Sequence, residues 1–317
     1  MLKMKTTTPP PVLHNLLSMQ ALDAKKITYL LDRADYFLKT AVAKQEVLTT
    51  LRGKVIVNLF FEPSTRTRNS FEIAEHRLGA IVLSPDMKQS STTKGEILID
   101  TICNLEAMGA SLLVIRHPDN NLTHFLASEL KTKIAVVNAG DGSNEHPTQT
   151  LLDLMTIRQH YPDFSRLTVA ILGDVSHSRV AHSLIIGLRL MGVERIRIIA
   201  PDYFTPEDAD LAHLDVFHSM DDGLNNVDIV YALRIQKERM QPEQRPKDDQ
   251  FFKNFGLTEA RLALAKQNAI VMHPGPMNRG VEIESSVADG SQSVILQQTQ
   301  NSVAVRMAVL ETLLNKP

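Results

Sequence analysis

The segment Val55-Ile56-Val57-Asn58-Leu59-Phe60-Phe61-Glu62-Pro63-Ser64-Thr65-Arg66-Thr67-Arg68 passes from one kind of structure into another within fourteen residues. The β-branched, largely apolar run at its start reads as a strand buried on both faces. Pro63 breaks it, because proline has no N–H to give a ladder. Ser64 or Thr65 is then a good N-cap for a helix running through Leu78, with Phe71, Ala74 and Leu78 spaced to share one face. A buried strand that feeds directly into a capped amphipathic helix is the repeating unit of a parallel α/β fold.

The same alternation extends in both directions. Short apolar runs recur at Ala80–Leu83, Leu112–Ile115, Ile134–Val137, Thr168–Leu172, Ile196–Ile199, Ile229–Leu233 and Ala269–Met272. Amphipathic stretches separate most of them, as at Leu98, Ile102 and Leu105. The strands fall into two sets of four, with a helix-like segment from Thr148 to about His160 between them. The reading is an α/β protein of two domains, each a parallel sheet flanked by helices, the first covering 1–149 and the second 150–294. A final helix, about 295–317, packs back on the first domain. Gln241–Gln250 is polar, charged and without periodicity, and reads as a mobile loop or a solvated linker.

Composition sets the limits. The chain has 317 residues, enough for two cores at about 150 residues per domain. Lys plus Arg number 34 against 36 Asp plus Glu, a net charge of -2, which disfavours a broad nucleic-acid or acidic-membrane surface. The single cysteine, Cys103, excludes an internal disulfide and a cysteine-based zinc site. The histidines show no metal-ligand spacing, so no metal and no cofactor are expected. No apolar run approaches a membrane span. The segment Thr6-Thr7-Thr8-Pro9-Pro10-Pro11 stands where a secretory signal would need apolar residues, so the expected setting is the cytoplasm.

The unusual polar residues lie just past strand ends, where open parallel sheets bind ligands. Ser64, Thr65, Arg66 and Thr67 at a helix start offer hydroxyls, a guanidinium fork and unpaired backbone N–H groups, the parts of a phosphate site. The alternative is a plain capped helix with surface arginines. Arg116 follows another strand, as a second anion ligand or a surface ion-pair residue. His146 and Gln149 open the helix at Thr148, with His146 either donating to a carbonyl oxygen or serving the structure. Lys94 lies in the polar loop Ser90–Gly95, which can close over a ligand or stay solvated. Arg179 and Arg234 follow strands in the second half and suit a dicarboxylate, one fork per carboxylate. Gly173-Asp174-Val175 follows a strand without the G-x-G-x-x-G of a dinucleotide site.

In order along the chain stand Phe61–Arg68, Ser90 through Lys94-Gly95-Glu96, Arg116-His117, His146-Pro147-Thr148-Gln149, His177-Ser178-Arg179-Val180, Leu233–Arg239 and His273-Pro274-Gly275-Pro276. This series resembles the carbamoyltransferase family, and Leu233-Arg234-Ile235-Gln236-Lys237-Glu238-Arg239 resembles its aspartate branch. The ornithine branch carries a cysteine in the last motif, where this chain has His273-Pro274-Gly275-Pro276. The resemblance runs from about Leu17 to the last helix.

It implies transfer of the carbamoyl group from carbamoyl phosphate to L-aspartate, giving N-carbamoyl-L-aspartate and phosphate, in pyrimidine synthesis. It implies that Ser64, Thr65, Arg66, Thr67 and Arg116 hold the phosphate. Thr67, Arg116 and His146 polarise the carbamoyl oxygen, while Gln149 and the backbone of Gly275 and Pro276 take its NH2 group. Arg66, Thr67, Arg116 and His146 are thereby the catalytic set. Arg179, Arg234, Gln236 and Lys94 hold aspartate. Ser90 and Lys94 come from a neighbouring subunit, which implies a homotrimer, and the active site is expected in the cleft between the domains, which close on their substrates. Regulatory or dihydroorotase-like chains are further partners of such assemblies. Gly275 departs from relatives with Leu or Ala there; the backbone contact survives, and the glycine leaves the loop looser. The rivals are a carbamoyltransferase for another amine, such as ornithine, and a non-catalytic homologue.

Overall fold

The computed structural model describes residues 11–89, 95–129, 133–206 and 213–315. Its first helix, α1 (Ala24–Phe37), is capped by Asp23, whose carboxylate accepts the Lys26 N–H. There follow β1 (Val55–Phe60), α2 (Thr65–Arg77), β2 (Ile81–Leu83), α3 (Leu98–Ala107), β3 (Ala110–His117), α4 (Leu122–Glu129), β4 (Ala135–Asp141) and α5 (Pro147–His160). The second half comprises β5 (Thr168–Leu172), α6 (Arg179–Leu190), β6 (Arg195–Ile199), β7 (Asp215–Phe217), α7 (Met220–Leu224), β8 (Ile229–Ala232), α8 (Asp248–Phe255), α9 (Glu259–Leu262), β9 (Ile270–Met272), α10 (Ser285–Ala288) and α11 (Ile295–Leu314).

The chain divides into two compact units. Unit 1 runs to Met155 and resumes at Thr299; unit 2 is Thr156–Gln298. Unit 1 holds a four-stranded sheet in the order β2-β1-β3-β4, and unit 2 a five-stranded sheet in the order β7-β6-β5-β8-β9. Every strand pair is parallel. Strands β1, β4, β5 and β8 are buried along nearly their whole length, which is why they read as continuous apolar runs rather than alternating ones.

Each unit has its own core. In unit 1, Val57 and Leu59 of β1 and Leu113 and Ile115 of β3 pack with Ile102 of α3 and Leu126 of α4. In unit 2, Ala170, Leu172, Val230 and Val271 from three strands meet Met220, Leu224, Leu262 and Val287 from helices. Each such aliphatic side chain contributes about 1.5–3 kcal/mol by leaving water. The part of α11 from Thr299 belongs to unit 1, where Glu311 takes a two-pronged ion pair from Arg33 at 2.7 and 2.9 Å.

Two expectations need correction. The second sheet has five strands, not four. Its extra member β7 is three residues long, pairs only with β6 at the sheet edge, and is half open to solvent. So short an edge strand, begun by an aspartate, leaves no apolar run to read. Gln241–Gln250 is not loop throughout: Pro242–Gln244 form a 3-10 turn and α8 starts at Asp248. The apolar residues of α8 are Phe251, Phe252 and Phe255, so its periodicity appears only past the end of that window.

Candidate functional site

In unit 1 the polar residues line one edge of the sheet. Phe60, the last residue of β1, is in register with Arg116 of β3, and the Phe61 N–H donates to the Arg116 carbonyl at 2.9 Å. Beyond this, Ser64 is the N-cap of α2, in extended conformation, and its side chain makes no capping bond. The first-turn N–H groups are therefore not taken up by the cap hydroxyl, at the end of the helix where its dipole is positive. Thr65 and Arg66 are exposed in that turn and Thr67 is buried. The next arginine, Arg68, turns aside, to Glu72 at 2.9 Å and the Ser84 carbonyl at 3.1 Å.

Arg116 stands beside this turn. Its Nε lies 3.2 Å from a Glu62 carboxylate oxygen, and its Nη1 donates to the Ala139 carbonyl of β4 at 3.4 Å. Past the end of β4, buried His146 precedes α5 and its carbonyl accepts the Gln149 N–H at 3.0 Å. The Gln149 amide donates through Nε2 to Asp153 at 3.1 Å. Since β1, β3 and β4 are neighbours in the sheet, Ser64, Thr65, Arg66, Thr67, Arg116, His146 and Gln149 all sit at adjacent carboxyl ends. Hydroxyls, helix-end amides and two guanidinium groups in one row suit a small phosphorylated ligand.

In unit 2 the adjacent strands β5, β8 and β9 end in the other predicted residues. Gly173 follows β5 at φ 103°, and a Cβ there would stand 2.7 Å from the Leu233 carbonyl, so only glycine fits so near the end of β8. Buried Asp174 gathers the loops: one oxygen meets His177 Nδ1 at 2.7 Å and the other accepts the Gln236 N–H at 2.8 Å. Buried Arg179 opens α6, behind the N-cap Ser178, whose hydroxyl accepts the Ala181 N–H. Arg234 donates to the Gln236 side chain at 3.0 Å and forks onto both carboxylate oxygens of Glu238. That charge-assisted fork raises the Arg234 pKa. Burial alone would raise that of Glu238, but its bond with Arg234 takes it below the usual carboxylate range.

After β9, the Gly275–Pro276 peptide bond is cis. Gly275 has φ 67°, in the left-handed region that favours glycine, and its N–H donates to His273 Nδ1 at 2.8 Å. The expectation of a looser loop thus meets a backbone position that glycine suits. Ser90 and Lys94 lie outside the described residues. Among the described residues, no group of three or more His, Cys, Asp or Glu could hold a metal ion, and no helix is long and apolar enough to cross a membrane.

The sequence reading gave no role to four acids that hold these side chains: Glu62 on Arg116, Asp153 on Gln149, Asp174 on the loops after β5 and β8, and Glu238 on Arg234. One of them carried a local signal: Asp153 stands four residues after Gln149 on α5, the spacing of neighbours on one helical turn.

Comparison with known proteins also divides the chain in two near residue 160, although the second match runs on through residues 299–313, which belong to unit 1. Residues 14–159 match the family model for the carbamoyl-P binding domain of aspartate/ornithine carbamoyltransferases, and residues 165–313 match that for their Asp/Orn binding domain. Among solved structures, aspartate transcarbamoylase from Trypanosoma cruzi, in complex with carbamoyl aspartate and phosphate, is 31% identical with a TM-score of 0.85, covering 95% of both chains. The same enzyme with carbamoyl phosphate and aspartate is 29% identical, TM-score 0.84, covering 96% of this chain and all of that one. Ornithine carbamoyltransferase from Thermus thermophilus is 26% identical, TM-score 0.84, covering 96% of this chain and 100% of the other.

Proposed function

The chain belongs to the aspartate/ornithine carbamoyltransferase family, and from that premise we propose that it carbamoylates L-aspartate, as a homotrimer, in pyrimidine synthesis. The observation that carries this reading is the row of phosphate and carbonyl ligands at the carboxyl ends of β1, β3 and β4.

In the proposed reaction the uncharged aspartate amine attacks the carbamoyl carbon. Negative charge builds on the carbamoyl oxygen, where Thr67, Arg116 and His146 donate. Pre-set donors of this kind contribute about 3–4 kcal/mol each. Gln149 and the backbone of Gly275 and Pro276 hold the NH2 group. The C–O bond to phosphate then breaks, and phosphate leaves on Ser64, Thr65, Arg66, Thr67 and Arg116, taking the proton from the former amine. The substrate amine is itself the nucleophile, so no side-chain nucleophile is required. Arg179, Arg234, Gln236 and Lys94 take the aspartate carboxylates, with Ser90 and Lys94 supplied by a neighbouring subunit. The Arg234–Glu238 fork supports this role: it shows the guanidinium already shaped around a carboxylate. One cysteine in 317 residues agrees with a cytoplasmic setting.

A colorimetric carbamoylation assay across a panel of amines tests the reading. Aspartate is expected to be the preferred acceptor; preference for ornithine would move the chain to the other branch of the family. Arg234→Ala should raise the KM for aspartate at least about tenfold, the cost of one charge-assisted carboxylate contact, and leave that for carbamoyl phosphate within about twofold. Equal rises would remove the division of labour between the units. Mixing an inactive Lys94→Ala subunit with an inactive Arg66→Ala subunit should restore measurable activity, because some sites in mixed trimers would have both residues intact. Mixed trimers that form and stay inactive would refute shared sites.

A further inference from the structure

One residue of the last strand-end motif has no part in the proposed reaction. His273 follows β9, and its side chain is fully buried. Its backbone N–H donates to the Gln298 side-chain oxygen at 2.9 Å, which pins the residue behind the strand. Its ring meets two partners. Nδ1 lies 2.8 Å from the Gly275 backbone nitrogen, and Nε2 lies 3.2 Å from Glu282 Oε1. A backbone N–H can only donate, so Nδ1 carries a lone pair there, and the one proton of the neutral imidazole sits on Nε2. The contacts thus assign the tautomer: His273 accepts from Gly275 and donates to Glu282. A doubly protonated ring would set an N–H against the Gly275 N–H.

Glu282 holds the loop from its other side. It is 3% exposed, and the oxygen that accepts the His273 Nε2–H also accepts the Asn278 N–H. Its backbone is fixed in turn: its carbonyl accepts the Leu257 N–H at 2.9 Å, and the next residue, Ile283, lies in the core of unit 2. His273 and Glu282 are therefore two fixed posts, with the N–H groups of Gly275 and Asn278 tied to them. Between those N–H groups along the chain lie the carbonyls of Gly275 and Pro276. Glycine has the widest choice of backbone angles, so at position 275 the bond to Nδ1 selects one. All of these residues belong to unit 2.

We propose that His273 is a positioning residue for the carbamoyl group: backed by Glu282, it holds the Gly275 N–H and so aims the Gly275 and Pro276 carbonyls at the carbamoyl NH2. The inference rests on the carbamoyl phosphate reading given above. It adds two residues that touch no substrate.

The test is calorimetric binding of two probes, carbamoyl phosphate and acetyl phosphate, without any amine present. The probes share a phosphate and a carbonyl, and acetyl phosphate carries a methyl where the other has NH2. Wild-type protein that binds neither would overturn the functional reading, and the inference with it. Wild-type protein that binds both equally would leave the phosphate site standing and overturn the inference alone. His273→Gln places an amide near the former Nε2, so it keeps a donor for Glu282 and loses the acceptor for Gly275. It should weaken carbamoyl phosphate about tenfold, the worth of one well-placed hydrogen bond, and acetyl phosphate less than about twofold. His273→Asn sets its side-chain oxygen where Nδ1 stood and keeps that acceptor, so it should stay within about threefold of wild type for both probes. A general loosening of unit 2 would weaken both probes alike. Nitrogen NMR of histidine-labelled wild type, with the His273 signals identified by their absence from His273→Asn, should show a bare Nδ1 and a protonated Nε2 at neutral pH. Should the His273 variants fold poorly, Glu282→Ala removes the acceptor behind the ring and should show the same difference between probes. Glu282→Gln, whose amide oxygen still accepts, should then restore binding. Equal weakening of both probes, unchanged carbamoyl phosphate binding, His273→Gln and His273→Asn behaving alike, or a proton on Nδ1 would each overturn the inference.

Discussion

Arg66→Ala should lower kcat/KM for carbamoyl transfer by about three orders of magnitude, or roughly 4 kcal/mol of transition-state stabilisation. Arg66 is the second residue of α2 and is exposed. Its side chain fills no core, and alanine favours a helix at least as well, so the fold should persist. The loss comes from the ligand side. The leaving phosphate gains charge as the C–O bond breaks, and a planar fork at a helix N-terminus meets that charge with two parallel donors. Arg66→Lys keeps the charge and loses the fork, so it should fall between wild type and alanine. Kinetics with both substrates varied, beside circular dichroism and a thermal melt, check this. An alanine variant within tenfold of wild type, with native spectra, would sink the phosphate role of this helix end.

Much of this site was legible because parallel sheets put their ligands at strand ends and mark them with polar residues after apolar runs. Val55–Phe60 and the Pro63–Arg68 segment show that rule plainly, and so do Leu112–Arg116 and Ile229–Arg234. What stayed hidden depends on contacts between distant parts of the chain. Arg306 is the one basic residue of α11, a helix of mixed polar and apolar residues, and only the fold sets it on Phe71, 235 residues earlier. Edge strand β7 left no pattern because only a fraction of it is buried. Glu238 was visible as a motif residue, but its grip on Arg234 needed the turn that follows β8.

The second large effect expected is on stability and pH, and it comes from the same helix, α2. Glu75 on α2 is fully buried against Asn58 of β1. The Asn58 Nδ2 donates to Glu75 Oε2 at 2.8 Å and to Ser84 Oγ at 3.2 Å. The other oxygens of the pair, Glu75 Oε1 and Asn58 Oδ1, are buried without a hydrogen-bond partner. Two neighbouring acceptors lacking a donor are what remains of an acid–amide pair when the acid's proton is left out, and a protonated Glu75 supplies that donor. Burial raises its pKa to about 7 from 4.5, opposed by the Asn58 hydrogen bond and helped by the nearby Glu72 charge. The folded state then binds a proton that the unfolded chain has already lost, so stability falls as pH rises. The contribution is complete below about pH 4.5 and gone above about pH 7, and amounts to about 3 kcal/mol at 1.36 kcal/mol per pH unit. Glu75→Gln replaces the acid by a neutral amide of the same shape, which can donate to Asn58 Oδ1 at any pH. Denaturant melts from pH 5 to pH 8.5 should show the variant gaining on wild type as pH rises, by about 2 kcal/mol or more across that range. A difference between the two that does not change with pH would mean that Glu75 stays charged in the folded protein, and the proton would have to be struck from the account.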